Sequence, residues 1–115
     1  MSAAVAKLEL PSLRDRVSPG EWEARVQLAA CHRLAEHFGW CGTNLGTHFS
    51  ARVPGEPDHF LLKPVDLWFD EVTASSLVKV DTKGNKLNDV PYRVNGAGVA
   101  LHGGCYLAQI GRAHV

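Results

Sequence analysis

Residues 42–64, GTNLGTHFSARVPGEPDHFLLKP, constrain this chain more than any other stretch. From Thr47 to Val53 the side chains alternate. His48, Ser50 and Arg52 fall on one face of a strand, and Phe49, Ala51 and Val53 on the other. Residues 54–58, Pro-Gly-Glu-Pro-Asp, are a dense turn signal: the prolines preset φ, and the glycine takes a positive φ at no steric cost. Phe60, Leu61 and Leu62 return as a second strand, which Pro64 ends by removing a ladder donor. The stretch predicts a β-hairpin with the other elements packed around it.

A helix precedes the hairpin. Ser18, Pro19 and Glu21 are spaced as a capping box, with Ser18 as N-cap and Pro19 at the first helical position. Trp22, Val26, Ala29, Ala30, Leu34 and Phe38 recur at helical spacing and predict one buried apolar stripe. Gly39 suits the residue after the helix. His32 and His37 are five positions apart, about 500° around a helix, so they do not share a face and read as ordinary helix residues. Residues 1–17 hold Pro11 and no sustained period, and read as a flexible N-terminal arm.

Beyond the hairpin, Leu67, Trp68 and Phe69 predict a packed connection. Thr73 caps one helical turn, residues 77–81 alternate as a short strand, and residues 81–85 turn about Gly84. Lys86 and Leu87 form a weak returning strand. Asn95 is the N-cap of a last helix over residues 96–109, whose packing candidates are Val99, Leu101, His102, Cys105, Tyr106 and Leu107. Gly96, Gly98, Gly103 and Gly104 each cost that helix up to ~1 kcal/mol relative to alanine. It therefore needs tertiary packing, or the glycines serve a close approach.

With 115 residues the chain suffices for one small domain, and 45% hydrophobic residues make it globular. Twelve basic side chains balance twelve acidic ones, which argues against a nucleic-acid footprint and a polybasic membrane patch. No apolar run approaches the ~20 residues a membrane span requires. The first eleven residues lack a basic segment followed by an apolar core, so no secretory signal is expected. Cys31, Cys41 and Cys105 contain no CxxC pair and read as small buried thiols in a reducing cytosol. His48, His59 and His102 are scattered, with no HxH, HxxxH or HExxH spacing, so no metal ligand is assigned in this chain. Asp70 and Glu71 read as a solvated turn face, and neither Lys79 nor Lys83 has the surroundings of a Schiff-base lysine.

Several pieces, in order between about residues 21 and 109, together resemble the class II aldolase/adducin family. They are Phe38-Gly39, THFSARVP over 47–54, FLLKP over 60–64, EVTASSLVKVD over 71–81 and NGAG over 95–98. The resemblance is to the N-terminal portion of the adducin-like branch, truncated. It implies an α/β fold: a three-layer α/β/α class II aldolase-like domain, incomplete, with residues 18–109 as its N-terminal part. It implies an intact protein that is a cytoplasmic, homo-oligomeric, zinc-dependent aldolase or other carbon–carbon lyase. Its substrate would be a small sugar-like or hydroxy-carbonyl molecule, with neither nucleic acid nor membrane as partner. In such enzymes three imidazoles hold zinc as a Lewis acid. The segment that supplies them is absent here, so the fragment is expected to bind no zinc, to carry no catalytic residue and to be inactive.

Substrate loops of the sugar-phosphate members correspond to Thr47-His48, Val65-Asp66 and Gly96-Ala97. The resemblance makes Thr47, His48, Asn95 and Gly96 the candidate substrate-binding residues. Asp66 stands where those members have glycine and would repel phosphate. Gly96 and Ala97 replace hydroxyl residues, and Gly98 replaces the acid/base glutamate of the fuculose-phosphate members. The alternative is a non-catalytic adducin-like interaction module. Residues 110–115, IGRAHV, can be encoded by ATC GGA AGA GCA CAC GTC, which resembles a sequencing-library adapter. They are expected to be an adapter-derived tail and lie outside the fold reading.

Overall fold

The run Phe60-Leu61-Leu62 is apolar at consecutive positions, so a strand built on it must be covered on both faces. The computed structural model, which describes residues 11–42 and 47–109, shows how. The elements in chain order are α1 (Pro19–His37), β1 (Ser50–Val53), β2 (Glu56–Leu62), a 3-10 turn (Phe69–Glu71), β3 (Val78–Asp81) and α2 (Gly96–Gln109). The three strands form one antiparallel sheet in the order β1-β2-β3. Helix α1 packs on β1 and the 3-10 turn, and α2 packs on β2. Leu61, Val53 and Leu77 join Leu28, Ala29 and Val72 in one core. Phe60, Leu62, Val78 and Val80 join Val99, Tyr92 and Leu67 in the other. The result is an α/β arrangement of helix, sheet and helix, compatible with an incomplete three-layer domain.

The hairpin is tighter than its sequence predicts. Only Pro54 and Gly55 form the turn, with Gly55 at φ 79°, and β2 already begins at Glu56. Pairing jumps from Arg52↔Phe60 to Val53↔Glu56, so Pro57, Asp58 and His59 lie in an irregularity. A bulge tolerates Pro57 because no ladder donor is needed from it there. β1 is also shorter than residues 47–53, starting at Ser50. The later strand forms as expected, and Lys86 adds a single bridge to Val80. Thr73 Oγ1 accepts from the Ser76 N–H at 3.1 Å, closing a turn rather than a turn of helix.

Helix α1 is rotated relative to the predicted stripe. Its buried side chains are Glu21, Arg25, Leu28, Ala29, His32 and Ala35. Val26, Leu34 and Phe38 are instead 45%, 53% and 56% exposed, while Arg25 and His32 are fully buried. Charge pairing is the cause. Arg25 Nε donates to Glu21 Oε2 at 2.9 Å, and its Nη1 donates to the carbonyls of Ala74 and Leu77. Lys79 Nζ reaches the other Glu21 oxygen at 2.9 Å. Ser18 Oγ caps the Glu21 N–H at 3.1 Å as expected. The Glu21 carboxylate, however, is held by Arg25 and Lys79, so the reciprocal half of a capping box is replaced by an ion-pair cluster.

Cys31 and Cys105 are exposed on α1 and α2, and Cys41 is half-buried, correcting the expectation of buried thiols. Residues 14–17 form a turn and a bend, and the Leu13 N–H donates to Ser75 Oγ at 3.1 Å. The expectation for residues 1–10, and the tail at 110–115, fall outside the described residues.

The glycines of α2 divide into two kinds. A Cβ on Gly103 would lie 3.3 Å from the Thr82 carbonyl oxygen, so this glycine serves a close approach between helix and sheet. Gly104 faces open space. Gly104→Ala is expected to stabilise the fold by about 0.5–1 kcal/mol. Gly103→Ala is expected to fall short of that variant by about 1 kcal/mol or more, because the backbone must give way. Urea unfolding of the two variants measures the difference.

His32 lies between the rings of Phe49 and Phe69 at 5.1 and 5.0 Å, its Nδ1 paired with the Leu28 carbonyl at 2.8 Å and its Nε2 without a partner. Burial, with a smaller push from Lys63, lowers its pKa from 6.5 to about 4. The unfolded chain takes up this proton near pH 6.5, whereas the folded chain refuses it until about pH 4. Stability is therefore full above the upper value and falls as pH drops through the window, by about 3 kcal/mol. His32→Gln is expected to flatten that part of the stability–pH curve, measured by denaturant unfolding at a series of pH values.

Candidate functional site

The alternation of residues 48–53, which run into and through β1, sends Phe49 and Ala51 toward the α1 core. It sends His48, Ser50 and Arg52 toward α2, as their hydrogen bonds show. On α2, His102 and Tyr106 are four residues apart and share the face that meets this strand. The two sets join into a polar chain. His48 Nδ1 lies 2.7 Å from His102 Nε2, and His102 Nδ1 lies 2.7 Å from Ser50 Oγ. Ser50 Oγ is also 2.7 Å from the Tyr106 hydroxyl. Arg52 closes the group: its Nη2 donates to the Tyr106 carbonyl at 3.2 Å, and its guanidinium sits 4.8 Å from the Tyr106 ring centre. Burial, and then the neighbouring His48, lower the His102 pKa below the ordinary histidine value, against a smaller opposing hydrogen-bond effect.

The start of α2 lies at one end of this chain. Asn95 Oδ1 accepts from the N–H groups of Ala97 and Gly98 at 2.9 and 3.3 Å, so Asn95 is the N-cap. A Cβ on Gly98 would stand 3.7 Å from both Asn95 Cβ and His48 Cγ. The helix start and His48 are therefore neighbours. The structure brings together His48 and Asn95 from the predicted set. Thr47 lies beside Gly42 instead, its Oγ1 3.1 Å from where a Cβ would be, and Gly96 is exposed with open space around it.

In the sequence His48 and His102 look scattered as metal ligands, Ser50 is one residue of a polar strand face, and Tyr106 is a packing candidate of the last helix, with nothing to join the four. The signal available was the polar face of β1 together with the four-residue spacing of His102 and Tyr106. Leu101, Cys105 and Leu107, read as packing residues of α2, are exposed because that face meets solvent. His59 pairs with Glu56 at 2.8 Å and takes no part.

Asp66 does not stand as a bare carboxylate. Its oxygens accept from the Arg93 N–H at 2.8 Å and from the guanidinium at 2.9 and 3.1 Å. Burial raises its pKa, but these Arg93 bonds outweigh that and hold it below the usual value. Glu71 accepts from the Trp68 N–H and closes the 3-10 turn, while Asp70 is exposed.

Residues 26–114 match the family described as Class II Aldolase and Adducin N-terminal domain. The chain belongs to the class II aldolase and adducin family. It is 48% identical over 98 residues to a Caulobacter vibrioides protein named at family level as aldolase class 2, covering 85% of this chain and 38% of that one. It is 44% identical over 92 residues to alpha-adducin of Rattus norvegicus, covering 78% of this chain and 12% of the adducin. An aldolase II superfamily protein from Pseudomonas syringae has a similar crystal structure, with TM-score 0.79 and 50% identity over 86% of this chain and 39% of that one. L-fuculose 1-phosphate aldolase from Glaciozyma antarctica follows at TM-score 0.71 and 25% identity, covering 92% of this chain and 42% of the enzyme. The chain thus spans about two-fifths of the length of its aldolase-type relatives.

Enzymes of this family are generally zinc-dependent, so the residues present must be tested against that metal. Among the described residues no three His, Cys, Asp or Glu side chains are grouped to hold an ion. The His48–His102 pair does not fit zinc either, because the facing nitrogens are spent on each other at 2.7 Å. Asn95→Ala removes the cap shared by Ala97 and Gly98. It is expected to destabilise the domain by about 1 kcal/mol, read as a lower unfolding midpoint with unchanged denaturant slope.

Proposed function

We propose that this chain is the substrate-side, N-terminal part of a zinc-dependent class II aldolase or related carbon–carbon lyase. The intact protein acts in the cytoplasm as a homo-oligomer on a small hydroxy-carbonyl or sugar-like molecule. Support comes from the likeness to a fuculose-phosphate aldolase across 92% of this chain. The observation that carries the reading is the placement of His48 against the Asn95-capped start of α2. Strand and helix meet there and offer fixed polar groups to a small ligand. His48 and Asn95 are the substrate-binding residues in this reading, with Thr47 and Gly96 at its margin. Zinc would supply polarisation of a carbonyl in the intact protein. The histidines of this chain are not its ligands, and the 115 residues alone are inactive.

The phosphate arm of the substrate is not recognised here as in sugar-phosphate aldolases. Asp66 and Arg93 satisfy each other at the loop concerned, and Asn95 occupies the amides of Ala97 and Gly98. These same two features favour a second reading, a non-catalytic adducin-like interaction module. Gly98 adds to it, since glycine can transfer no proton. Assaying the intact protein for aldol cleavage separates the two. Turnover lost to a chelator and restored by zinc is the expected result. An intact, folded protein with no turnover in zinc would establish the interaction module instead.

A further inference from the structure

We propose that His48 is the acid/base group of the intact lyase, trading protons with the substrate at Nε2 and with water through His102, Ser50 and Tyr106. The inference rests on the lyase reading above and adds the group that moves protons within it.

The start of α2, residues 95–99, carries no titratable side chain. Gly98 instead leaves room for an imidazole: its missing Cβ would stand 3.7 Å from His48 Cγ. Of Thr47, His48, Asn95 and Gly96, only the histidine has a side chain of the acid/base kind.

The groups behind His48 suit it to transfer in both directions. His48 Nδ1 faces His102 Nε2, His102 Nδ1 faces Ser50 Oγ, and Ser50 Oγ faces the Tyr106 hydroxyl, each at 2.7 Å. Each contact holds one proton between its two atoms. With both imidazoles neutral the four side chains carry four protons, so one proton always stands at an end. When every donor points toward His48, the extra proton is on His48 Nε2, ready to be given. When every donor points toward Tyr106, the extra proton is on its hydroxyl, and His48 Nε2 is bare, ready to accept. Both arrangements leave one donor open, so neither locks the relay.

Burial, and then the neighbouring His48, keep His102 below the ordinary histidine pKa. A neutral ring has one bare nitrogen and passes a proton through; a cation has both filled. Gly96–Gln109 has no Asp or Glu to hold such a charge, and the charged group brought from β1 is the Arg52 cation.

Cleavage of a β-hydroxy carbonyl compound uses both arrangements. Bare His48 Nε2 takes the hydroxyl proton. The O–H electron pair forms the new C=O bond as the carbon–carbon bond breaks, and the pair of that bond becomes the enolate of the other fragment. Protons shift one place along the three contacts, and Tyr106 gives one to water. His48 Nε2 then donates its proton to the enolate carbon, the shift reverses, and Tyr106 takes a proton from water. The two opposite shifts restore the starting state and leave no charge on the protein.

Exchange of the carbon-bound hydrogen of dihydroxyacetone in D2O reads the transfer at carbon alone. The intact protein in zinc is expected to catalyse it. His48→Gln, which keeps a hydrogen-bonding side chain, is expected to slow it by about 10²-fold or more. Exchange that His48→Gln leaves unchanged overturns the inference and spares the lyase; no exchange by the wild type overturns both. Imidazole nitrogen resonances of the 15N-labelled 115-residue chain at pH 8 test the relay with His48 in place. Tyr106→Phe leaves the Ser50 hydroxyl without an acceptor in one arrangement. It is expected to move His48 and His102 together toward their Nε2–H tautomers by about fivefold. A His48 tautomer unmoved by Tyr106→Phe, or two rings that move independently, overturns the relay.

Discussion

A buried guanidinium decides how this domain is put together. Arg25 is fully enclosed, and an enclosed charge is tolerated only where partners meet it. Glu21 supplies the countercharge one turn earlier, and the carbonyls of Ala74 and Leu77 supply acceptors from the segment leading into β3. Lys79 on β3 then spans Glu21 and Glu56, tying the helix, the start of β2 and the outer strand β3 into one cluster. Only one rotation of α1 about its axis satisfies these groups. Such a cluster adds little net stability over apolar packing, because desolvation offsets attraction. Its consequence is orientation.

That orientation turns the conspicuous apolar residues of α1 outward. Val26, Leu34 and Phe38 are exposed, with Trp40 stacked on Phe38 at 5.1 Å. α2 repeats the pattern, burying Val99 and Gly103 while Leu101 and Leu107 face out. Both helices are apolar on more than one side, so periodicity alone cannot say which side meets the sheet.

The sheet surface under α2 is the part with chemistry in it. Alternation along residues 48–53 puts His48, Ser50 and Arg52 on one face, and that much is legible from the residues. What hides the site is the partner. His102 and Tyr106 are more than fifty positions away, and nothing local says that α2 crosses β1 at their level. Gly103 makes the crossing possible, because a helix with a side chain there would stand off from Thr82. These half-buried polar side chains then find partners in one another.

The sequence by itself determined the elements whose causes are local. Pro54 and Gly55 make the hairpin turn, Ser18 and Asn95 start the helices, and Phe60-Leu61-Leu62 demands a strand covered on both faces. It also carried the motif order that marks the class II aldolase and adducin family. Tertiary structure alone decided which face of α1 is buried, how far the hairpin bulges around Pro57, and that two distant histidines meet. The reason is the same in each case. Propensity and periodicity act within a few residues, whereas a buried guanidinium and a half-buried polar chain need groups that the fold brings in from elsewhere.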